Sequence, residues 1–357
     1  MRDHGDLIFI DLREDGEIFQ IKVSKDVFGS LAEVSNLTDE SVILCEGKIS
    51  LRSPDDINPQ AKNGNLELDT TKLHLLSKSA PLPFEIRTSH QVRETKRMQY
   101  RFLDLRNLKI RENIIMRHQV ISEMRTFLNK KSFTEIETPI VGKATDEGAR
   151  EFIIPSRLYP GEFYVLPQSP QQLKQLLVGS GIDKYYQIAK CFRDEDGKGD
   201  RQPEFTQLDI ELAFTSQNEV IHLISDLLIH LVKTCYPTRK ILQTPIPLLD
   251  YADAMEWYGT DKPDLRYGLK MTTVTEILRD TSFEVFKKPL SLGGVVKCLK
   301  VEQGSQLLPK KYLDEKLREF SIQQGLGGLA NFHVGEDNFI TEKLGTKAVE
   351  KIIKKAD

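Results

Sequence analysis

Cysteine and tryptophan are scarce in this chain, which has four cysteines and one tryptophan among 357 residues. The cysteines, at positions 45, 191, 235 and 298, show neither the CxxC nor the CxxH spacing of a structural zinc site. Sparse, unpatterned cysteine is typical of proteins whose thiols stay reduced. We therefore expect no disulfide framework, no metal held by this chain's own side chains, and a cytoplasmic location.

Long apolar runs and a large net charge are also missing. No stretch approaches the ~20 apolar residues that span a membrane, and the opening residues MRDHGD resemble neither a signal core nor a transit peptide. The 50 lysines and arginines nearly balance 53 aspartates and glutamates. A nucleic-acid partner would therefore bind a local patch, and the length predicts two or three domains.

The first strong pattern is a β-hairpin at residues 7–13 and 18–23. Its Asp15-Gly16 pair is a strong two-residue turn signal, which pairs Leu12 with Phe19 and Phe9 with Lys22. One face then carries Ile8, Ile10, Leu12, Phe19 and Ile21, and the other carries Phe9, Asp11, Arg13, Gln20 and Lys22.

An aromatic ring on the polar face of that hairpin has two interpretations. A lone exposed Phe9 is common and means nothing by itself. Alternatively, Phe9 is a stacking platform of the kind that OB-folds offer to single-stranded nucleic acid. Further strands are predicted at residues 42–51 and 66–75, so the barrel would end near Leu82, where a proline-rich linker covers residues 79–84.

Residues 111–130 have the spacing of an amphipathic helix, with Ile114, Ile121, Met124 and Leu128 on one stripe. The chain continues into an extended segment at residues 133–140, since Thr138 precedes a proline. A helix is also predicted after residue 169, with Ser169 as its N-cap and Pro170 in its first position. Gln171 and Lys174 would share a face of that helix.

The most informative stretch is a second hairpin at residues 185–212. On its return strand Leu208, Ile210 and Leu212 alternate with polar residues, so one face is apolar and the other polar. A half-solvated strand is the ordinary explanation. The polar residues Gln207, Asp209 and Glu211 are predicted to form a supporting network more readily than to contact a ligand directly.

This stretch, FRDEDGKGDRQPEFTQLDIE, resembles motif 2 of the class II aminoacyl-tRNA synthetases and is most similar to bacterial-type aspartyl-tRNA synthetases. Four further segments, FTEIETPI, ATDEGAREF, YVLPQSPQQLKQLL and YGTDKPDLRYG, resemble other parts of that family in the expected order. The resemblance implies an α+β multidomain fold. It implies an incomplete OB-fold anticodon-binding barrel at 1–82, a hinge at 83–107, a class II antiparallel-sheet catalytic domain at 108–268 and a partial insertion domain at 269–357.

The resemblance also implies roles for individual residues, with ATP as a substrate and Mg²⁺ as its counterion. Arg193 and Glu195 would be catalytic, Arg193 by bridging the aspartate carboxylate and the ATP α-phosphate. The implied aspartate-binding residues are Glu147, Ser169, Gln171, Lys174 and Arg193. The implied ATP-binding residues are Arg193, Asp194, Glu195, Gln202 and Phe205. The implied tRNA-binding residues are Phe9, Gln20 and Arg52.

The implied partners are L-aspartate, tRNA(Asp) and a second copy of the chain, with no membrane partner. His4 resembles the residue of enzymes that also charge tRNA(Asn). Beyond Lys270 the sequence resembles an insertion domain, so motif 3 and the first barrel strand are expected to be missing and the chain is not expected to form the adenylate alone. Two alternatives stay open, a sibling ligase for asparagine or lysine and a non-catalytic tRNA- or partner-binding module.

Overall fold

The computed structural model describes residues 1–14, 17–28, 34, 36–59, 62–145, 148–327, 329–334 and 339–356. The chain divides into two compact units, Met1–Pro237 and Thr238–Asp357. Both mix helices with short sheets, so the predicted α+β class is confirmed. None of the helices in the described ranges is long and apolar enough to cross a membrane.

A five-stranded sheet begins the first unit. Its strands are β1 (Arg2–Asp3), β2 (Leu7–Glu14), β3 (Glu17–Ser24), β4 (Val42–Leu51) and β5 (Leu66–Ser77), and a short helix α1 (Lys25–Phe28) follows β3. The strand order is β1-β2-β3-β5-β4, with β3 parallel to β5 and the other pairs antiparallel. These strands are consistent with an OB-fold, although the described residues show no pair that closes the barrel.

The predicted register of the first hairpin is confirmed. Phe9 lies opposite Lys22 and Leu12 opposite Phe19, although Asp15 and Gly16 themselves lie outside the described residues. The apolar face forms the core of this sheet, where Ile8 and Val23 are fully buried against Val34. The burial of one face explains why the register is fixed, since a shift by one residue would expose Ile8 and Val23.

A helical connection links this sheet to the rest of the first unit. It contains a 3₁₀ turn (Ser89–Gln91), α2 (Glu94–Gln99) and α3 (Arg101–Asp104). The carboxylate of Glu40 contacts the guanidinium groups of Arg13 on β2 and Arg106 after α3. The connection is therefore tied to the sheet by charged side chains.

The remaining part of the first unit is built on the second hairpin. Its helices are α4 (Leu108–Lys130), α5 (Gln171–Gly179) and α6 (Gln217–Cys235), and its strands are β6 (Thr134–Glu135), β7 (Ile153–Pro155), β8 (Phe163–Val165), β9 (Lys184–Phe192) and β10 (Glu204–Leu212). The strands β10, β9 and β6 form one sheet, and β7 pairs with β8. In the predicted extended segment 133–140, Thr134 and Glu135 pair with β9, and the Ile136 amide also donates to the Tyr186 carbonyl at 3.1 Å.

Helices α4 and α6 cover one face of the β9–β10 hairpin. Leu128 of α4 and Tyr186 of β9 are fully buried in a cluster with Phe133. Leu208, Ile210 and Leu212 pack against this cluster, so the predicted apolar face is confirmed. Ile114 is 52% exposed, however, because the N-terminal part of α4 extends past this core.

The second unit is a smaller α+β assembly. Its elements are α7 (Tyr251–Tyr258), β11 (Met271–Thr273), α8 (Glu284–Ser291), β12 (Lys297–Leu299), α9 (Gly304–Leu307), α10 (Arg318–Gln323), α11 (Phe339–Leu344) and α12 (Thr346–Ala356), with a π-helical turn at Tyr312–Leu317. Strands β11 and β12 pair in antiparallel fashion. Val274, Leu278 and Ile352 form the buried core of this unit.

Candidate functional site

The polar face of the β9–β10 hairpin is the strongest candidate site. Asp209 lies opposite Gln187 and Glu211 lies opposite Tyr185, so all four side chains share the face that α4 and α6 leave uncovered. Asp209 and Gln187 are buried nevertheless. Buried polar groups require partners, and the structure supplies them from other segments.

Helix α5 supplies the cation for this face. The ammonium of Lys174 lies 2.5 Å from Oδ1 of Asp209 and 3.4 Å from Oε2 of Glu211, and only 12% of the Lys174 side chain is exposed. An ammonium has three hydrogen-bond donors. Two carboxylates can therefore hold Lys174 while one N–H stays free for a further acceptor.

A row of neutral groups continues the network. Both the Tyr185 hydroxyl and the Thr138 hydroxyl donate to Oε1 of Gln187, at 2.6 and 2.9 Å. Burial, and then the charge of Asp209, raises the pKa of Tyr185, so its hydroxyl stays protonated as a donor. The predicted supporting role of the polar face thus extends to residues of β9.

Our prediction for the start of α5 was wrong by one position. The amide of Lys174 donates to the carbonyl of Pro170, so Pro170 is the N-cap and the helix begins at Gln171. Proline is tolerated at this position because the N-cap residue does not need to donate a backbone N–H to the helix. Ser169 precedes the cap, and Gln171 and Lys174 share the helix as predicted.

Arg193 follows β9 at the start of the loop that connects it to β10. Its backbone amide donates to the Pro203 carbonyl at 2.8 Å, and its guanidinium carbon lies 5.1 Å from the ring centroid of Phe205. The Nε atom of Arg193 is buried and has no hydrogen-bond partner in the described part of the chain. A buried unpaired donor on a cation is well suited to an anion such as a carboxylate or phosphate.

Next to Arg193 lies a charged cavity of about 450 Å³. Its lining combines three carboxylates with three cations and consists of Gly148, Arg150, Asp194, Glu195, Asp196, Lys198 and Arg201. Asp194 and Glu195, two of the predicted ATP-binding residues, therefore line the same cavity. Gln202 is exposed and does not line it, and Glu147 lies outside the described residues.

The predicted nucleic-acid residues lie on the first sheet. The half-buried ring of Phe9 packs edge-to-face against His4 with 5.6 Å between centroids, and the guanidinium carbon of Arg2 lies 6.0 Å from the same ring. Gln20 is only 8% exposed, because it accepts from Arg2 at 2.7 Å and donates to Glu67 at 3.0 Å.

Arg52 belongs to another strand pair. It follows β4, and its Nε donates to the Leu66 carbonyl at the start of β5. The tRNA-binding roles of Phe9, Gln20 and Arg52 stay predictions. The side chain of Gln20 is already hydrogen-bonded within the sheet, to Arg2 and Glu67.

A family model for class II tRNA synthetases (D, K and N) matches residues 93–340. The chain belongs to this family. The match covers more than half of the chain and includes both the hairpin and Lys174, so the resemblance seen in the sequence is confirmed.

Curated relatives of this class II synthetase chain carry aspartate ligase names. The aspartate–tRNA(Asp/Asn) ligase of Syntrophomonas wolfei subsp. wolfei is 42% identical over 356 residues, which are 99% of this chain and 60% of that protein. The aspartate–tRNA ligase of Lactobacillus acidophilus is 43% identical over 317 residues, which are 88% of this chain and 51% of that protein. The chain thus spans about half to three fifths of the length of these relatives.

Solved structures show the same fold at lower identity. The asparaginyl-tRNA synthetase from Pyrococcus horikoshii complexed with asparaginyl-adenylate has a TM-score of 0.61 at 23% identity, covering 74% of this chain and 64% of that chain. The Entamoeba histolytica asparaginyl-tRNA synthetase has a TM-score of 0.60 at 21% identity, covering 71% and 60%. These likenesses support the synthetase fold.

Sequence reasoning missed several residues of this candidate site. Tyr185 and Gln187 alternate along β9 in phase with Asp209 on β10, so period two could have found them once the register was known. Thr138 could not have been found, since it lies 49 residues before its partner Gln187.

No group of three or more His, Cys, Asp or Glu residues within the described ranges could hold a metal ion.

Proposed function

We propose that this chain is the aspartate- and ATP-binding part of an aspartate–tRNA ligase. The observation that carries the proposal is that the β9–β10 hairpin has two cations with donors left for an anion. Lys174 contacts Asp209 and Glu211 on the polar face, and the buried Nε of Arg193 has no partner among the described residues. The family membership and the names of the relatives at about 42% identity support the same reaction. Because the relatives are longer, the whole activity is a proposal for this chain.

In the first step a carboxylate oxygen of aspartate attacks the α-phosphorus of ATP, and pyrophosphate leaves as the acyl-phosphate bond forms. Arg193 binds both the carboxylate and the α-phosphate, since a guanidinium has five donors in a planar fork. It stabilises the negative charge that develops at phosphorus. Glu195, Asp194 and Gln202 contact the nucleotide, and Phe205 stacks on adenine.

Aspartate is recognised by its charge. The free donor of Lys174 binds the side-chain carboxylate of aspartate, while Ser169, Gln171 and Glu147 hold the amino-acid backbone. Asp209 and Glu211 hold the ammonium in place and leave one of its three N–H donors for the substrate. Asparagine, which lacks the charge, would gain much less from the same contact.

In the second step a terminal ribose hydroxyl of tRNA attacks the adenylate carbonyl, and AMP leaves. Phe9, Gln20 and Arg52 bind the anticodon region of tRNA(Asp), and the loop at 197–201 meets the acceptor end. His4, which lies beside Phe9, extends the accepted substrates to tRNA(Asn). Several relatives carry the name aspartate–tRNA(Asp/Asn) ligase.

Three further features complete the proposal. Mg²⁺ would enter with ATP as the counterion of the triphosphate and would screen its charge. The chain forms a homodimer through the α4 region, and it acts in the cytoplasm. The sibling asparagine or lysine ligase and the non-catalytic binding module are the outcomes that the following test separates from this proposal.

The test is calorimetric binding of sulfamoyl adenylate analogues to this 357-residue chain. We expect the aspartyl analogue to bind at least about 100-fold more tightly than the asparaginyl or lysyl analogue, because only the aspartyl side chain pairs with Lys174. Equal affinities would refute aspartate recognition. Pyrophosphate exchange with aspartate and ATP then measures whether the bound chain also turns over.

A further inference from the structure

Gln168 is a buried side chain with an unusual pair of partners. Its Nε2 donates to the Ala149 carbonyl at 2.8 Å, and its Oε1 accepts from the Ala149 amide at 3.0 Å. The residue is only 2% exposed. One amide side chain thus satisfies both backbone groups of a residue 19 positions earlier, as a neighbouring strand would.

Ala149 belongs to the wall of the charged cavity. Its neighbours Gly148 and Arg150 line that cavity together with Asp194 and Glu195. The Asp194 amide donates to the Arg150 carbonyl at 2.9 Å. The wall is therefore joined to the loop that begins at Arg193 through the Arg150 carbonyl, and Ala149 directly precedes that contact.

Backbone hydrogen bonds hold the other side of Gln168. The Phe192 amide donates to the Pro167 carbonyl at 2.9 Å, and the Leu166 amide donates to the Phe152 carbonyl at 3.0 Å. Gln168 therefore lies between the end of β9 and the segment 148–152. It thus connects the sheet to Ala149, which belongs to no strand among the described residues.

The chemistry of this contact requires an amide. Glutamate would retain acceptors for the Ala149 N–H but could not donate to the carbonyl, and it would bury a charge. Methionine has a similar size but replaces neither bond. Loss of both bonds would leave two backbone groups of Ala149 without partners.

We infer that Gln168 is a positioning residue for the amino-acid side of the site, which it serves by holding Ala149 and so the Gly148–Arg150 wall of the cavity. This inference rests on the proposed function. It assigns to Gln168 a larger effect on aspartyl-adenylate affinity than on ATP affinity. Gln168 joins the wall to the segment 169–174 that is proposed to hold aspartate, whereas the bond between the Asp194 amide and the Arg150 carbonyl still ties the wall to the loop that is proposed to hold ATP.

The test uses the full chain with Gln168→Met, Gln168→Glu and the control Gln172→Met, an exposed glutamine on α5. Amide hydrogen exchange is measured at Ala149, and calorimetry measures the affinity for the aspartyl sulfamoyl analogue and for ATP. We expect faster exchange at Ala149 and about tenfold weaker analogue binding for Gln168→Met, with ATP affinity within twofold. Gln168→Glu should give a smaller increase in exchange, since one bond remains.

Several outcomes would overturn the inference. Unchanged exchange at Ala149 would show that Gln168 does not hold the backbone, and equal losses for the analogue and ATP would indicate a general structural role. If the wild-type chain does not bind the analogue, the proposed function fails, and exchange at Ala149 still decides whether Gln168 holds this wall. If Gln168→Met does not fold, the same comparison is made with Gln168→Glu.

Discussion

The ammonium of Lys174 on helix α5 lies 2.5 Å from a carboxylate oxygen of Asp209 on strand β10. Both side chains are largely buried, so the contact is screened little by water or salt. The pair fixes the direction of a flexible lysine before any ligand arrives. Such preorganisation reduces the entropy lost on binding.

Replacement of Lys174 by methionine should abolish selection for aspartate. We expect the aspartyl sulfamoyl analogue to bind about 100-fold more weakly, because Asp209 and Glu211 would then face the substrate carboxylate without a cation. The matched control is Lys190→Met, which removes an exposed lysine paired with Glu204 at 3.4 Å. Calorimetry of both variants measures the difference, and equal losses would contradict the role of Lys174.

Replacement of Arg193 by lysine should weaken both ATP and the aspartyl analogue by about tenfold or more. A lysine keeps the charge but loses the planar fork that binds two oxygen atoms at once, and it also loses the stacked contact with Phe205. Arg117→Lys is a suitable control. Arg117 donates to Thr206, whose side chain lies on the face of β10 opposite to that of Phe205 and Asp209. A fully active Arg193→Lys variant would remove the basis for assigning the phosphate contact to this residue.

Replacement of Phe9 by alanine should weaken tRNA(Asp) binding by about tenfold at a fixed salt concentration, since stacking of one base on a ring is worth ~1–3 kcal/mol. Binding of the aspartyl analogue should stay unchanged. Phe102→Ala is the control, because Phe102 is 64% exposed and lies outside the first sheet. Filter binding with tRNA(Asp) and tRNA(Asn) tests this, and equal tRNA affinity of the Phe9→Ala and Phe102→Ala variants would exclude stacking on Phe9.

Replacement of Asp104 by asparagine should make stability less dependent on pH in the acidic range. Burial alone would raise the pKa of Asp104, but hydrogen bonds from Arg97 and Ser89 and the charges of Arg97 and Arg101 lower it on balance. A lowered folded-state pKa gives stability that is complete above the unfolded pKa of ~4 and is lost as the pH falls through the folded value.

At pH 7 we therefore expect the Asp104→Asn chain to unfold with about 2 kcal/mol less free energy than the wild type. The difference should shrink as the pH falls from ~4 toward the lowered folded-state pKa of Asp104, because the carboxylate of the unfolded chain takes up a proton before that of the folded chain. Urea unfolding at several pH values measures it, with the exposed Asp55→Asn as the control. A constant difference across this pH range would show that the charge of Asp104 does not contribute.

Local patterns were enough to predict the two hairpins. The Asp-Gly signal placed Phe9 opposite Lys22, and alternation along β10 separated Leu208 from Asp209, because both depend only on neighbouring residues and on a side-chain period of two. Helix α4 was predicted from its apolar spacing in the same way, although it begins three residues earlier than expected. The boundary moved because Asn107 accepts from the Lys109 amide and caps the helix.

The sequence by itself determined the strands of the two hairpins, helix α4, the polar face of the second hairpin and the family resemblance that singled out Lys174 and Arg193. The tertiary structure alone decided that Lys174 meets Asp209, that Gln20 is held by Arg2 and Glu67, and that Gln168 binds the Ala149 backbone. These contacts join residues 18 to 47 positions apart in the chain. Their formation depends on how separate elements pack, and a periodic pattern within one element carries no information about that packing.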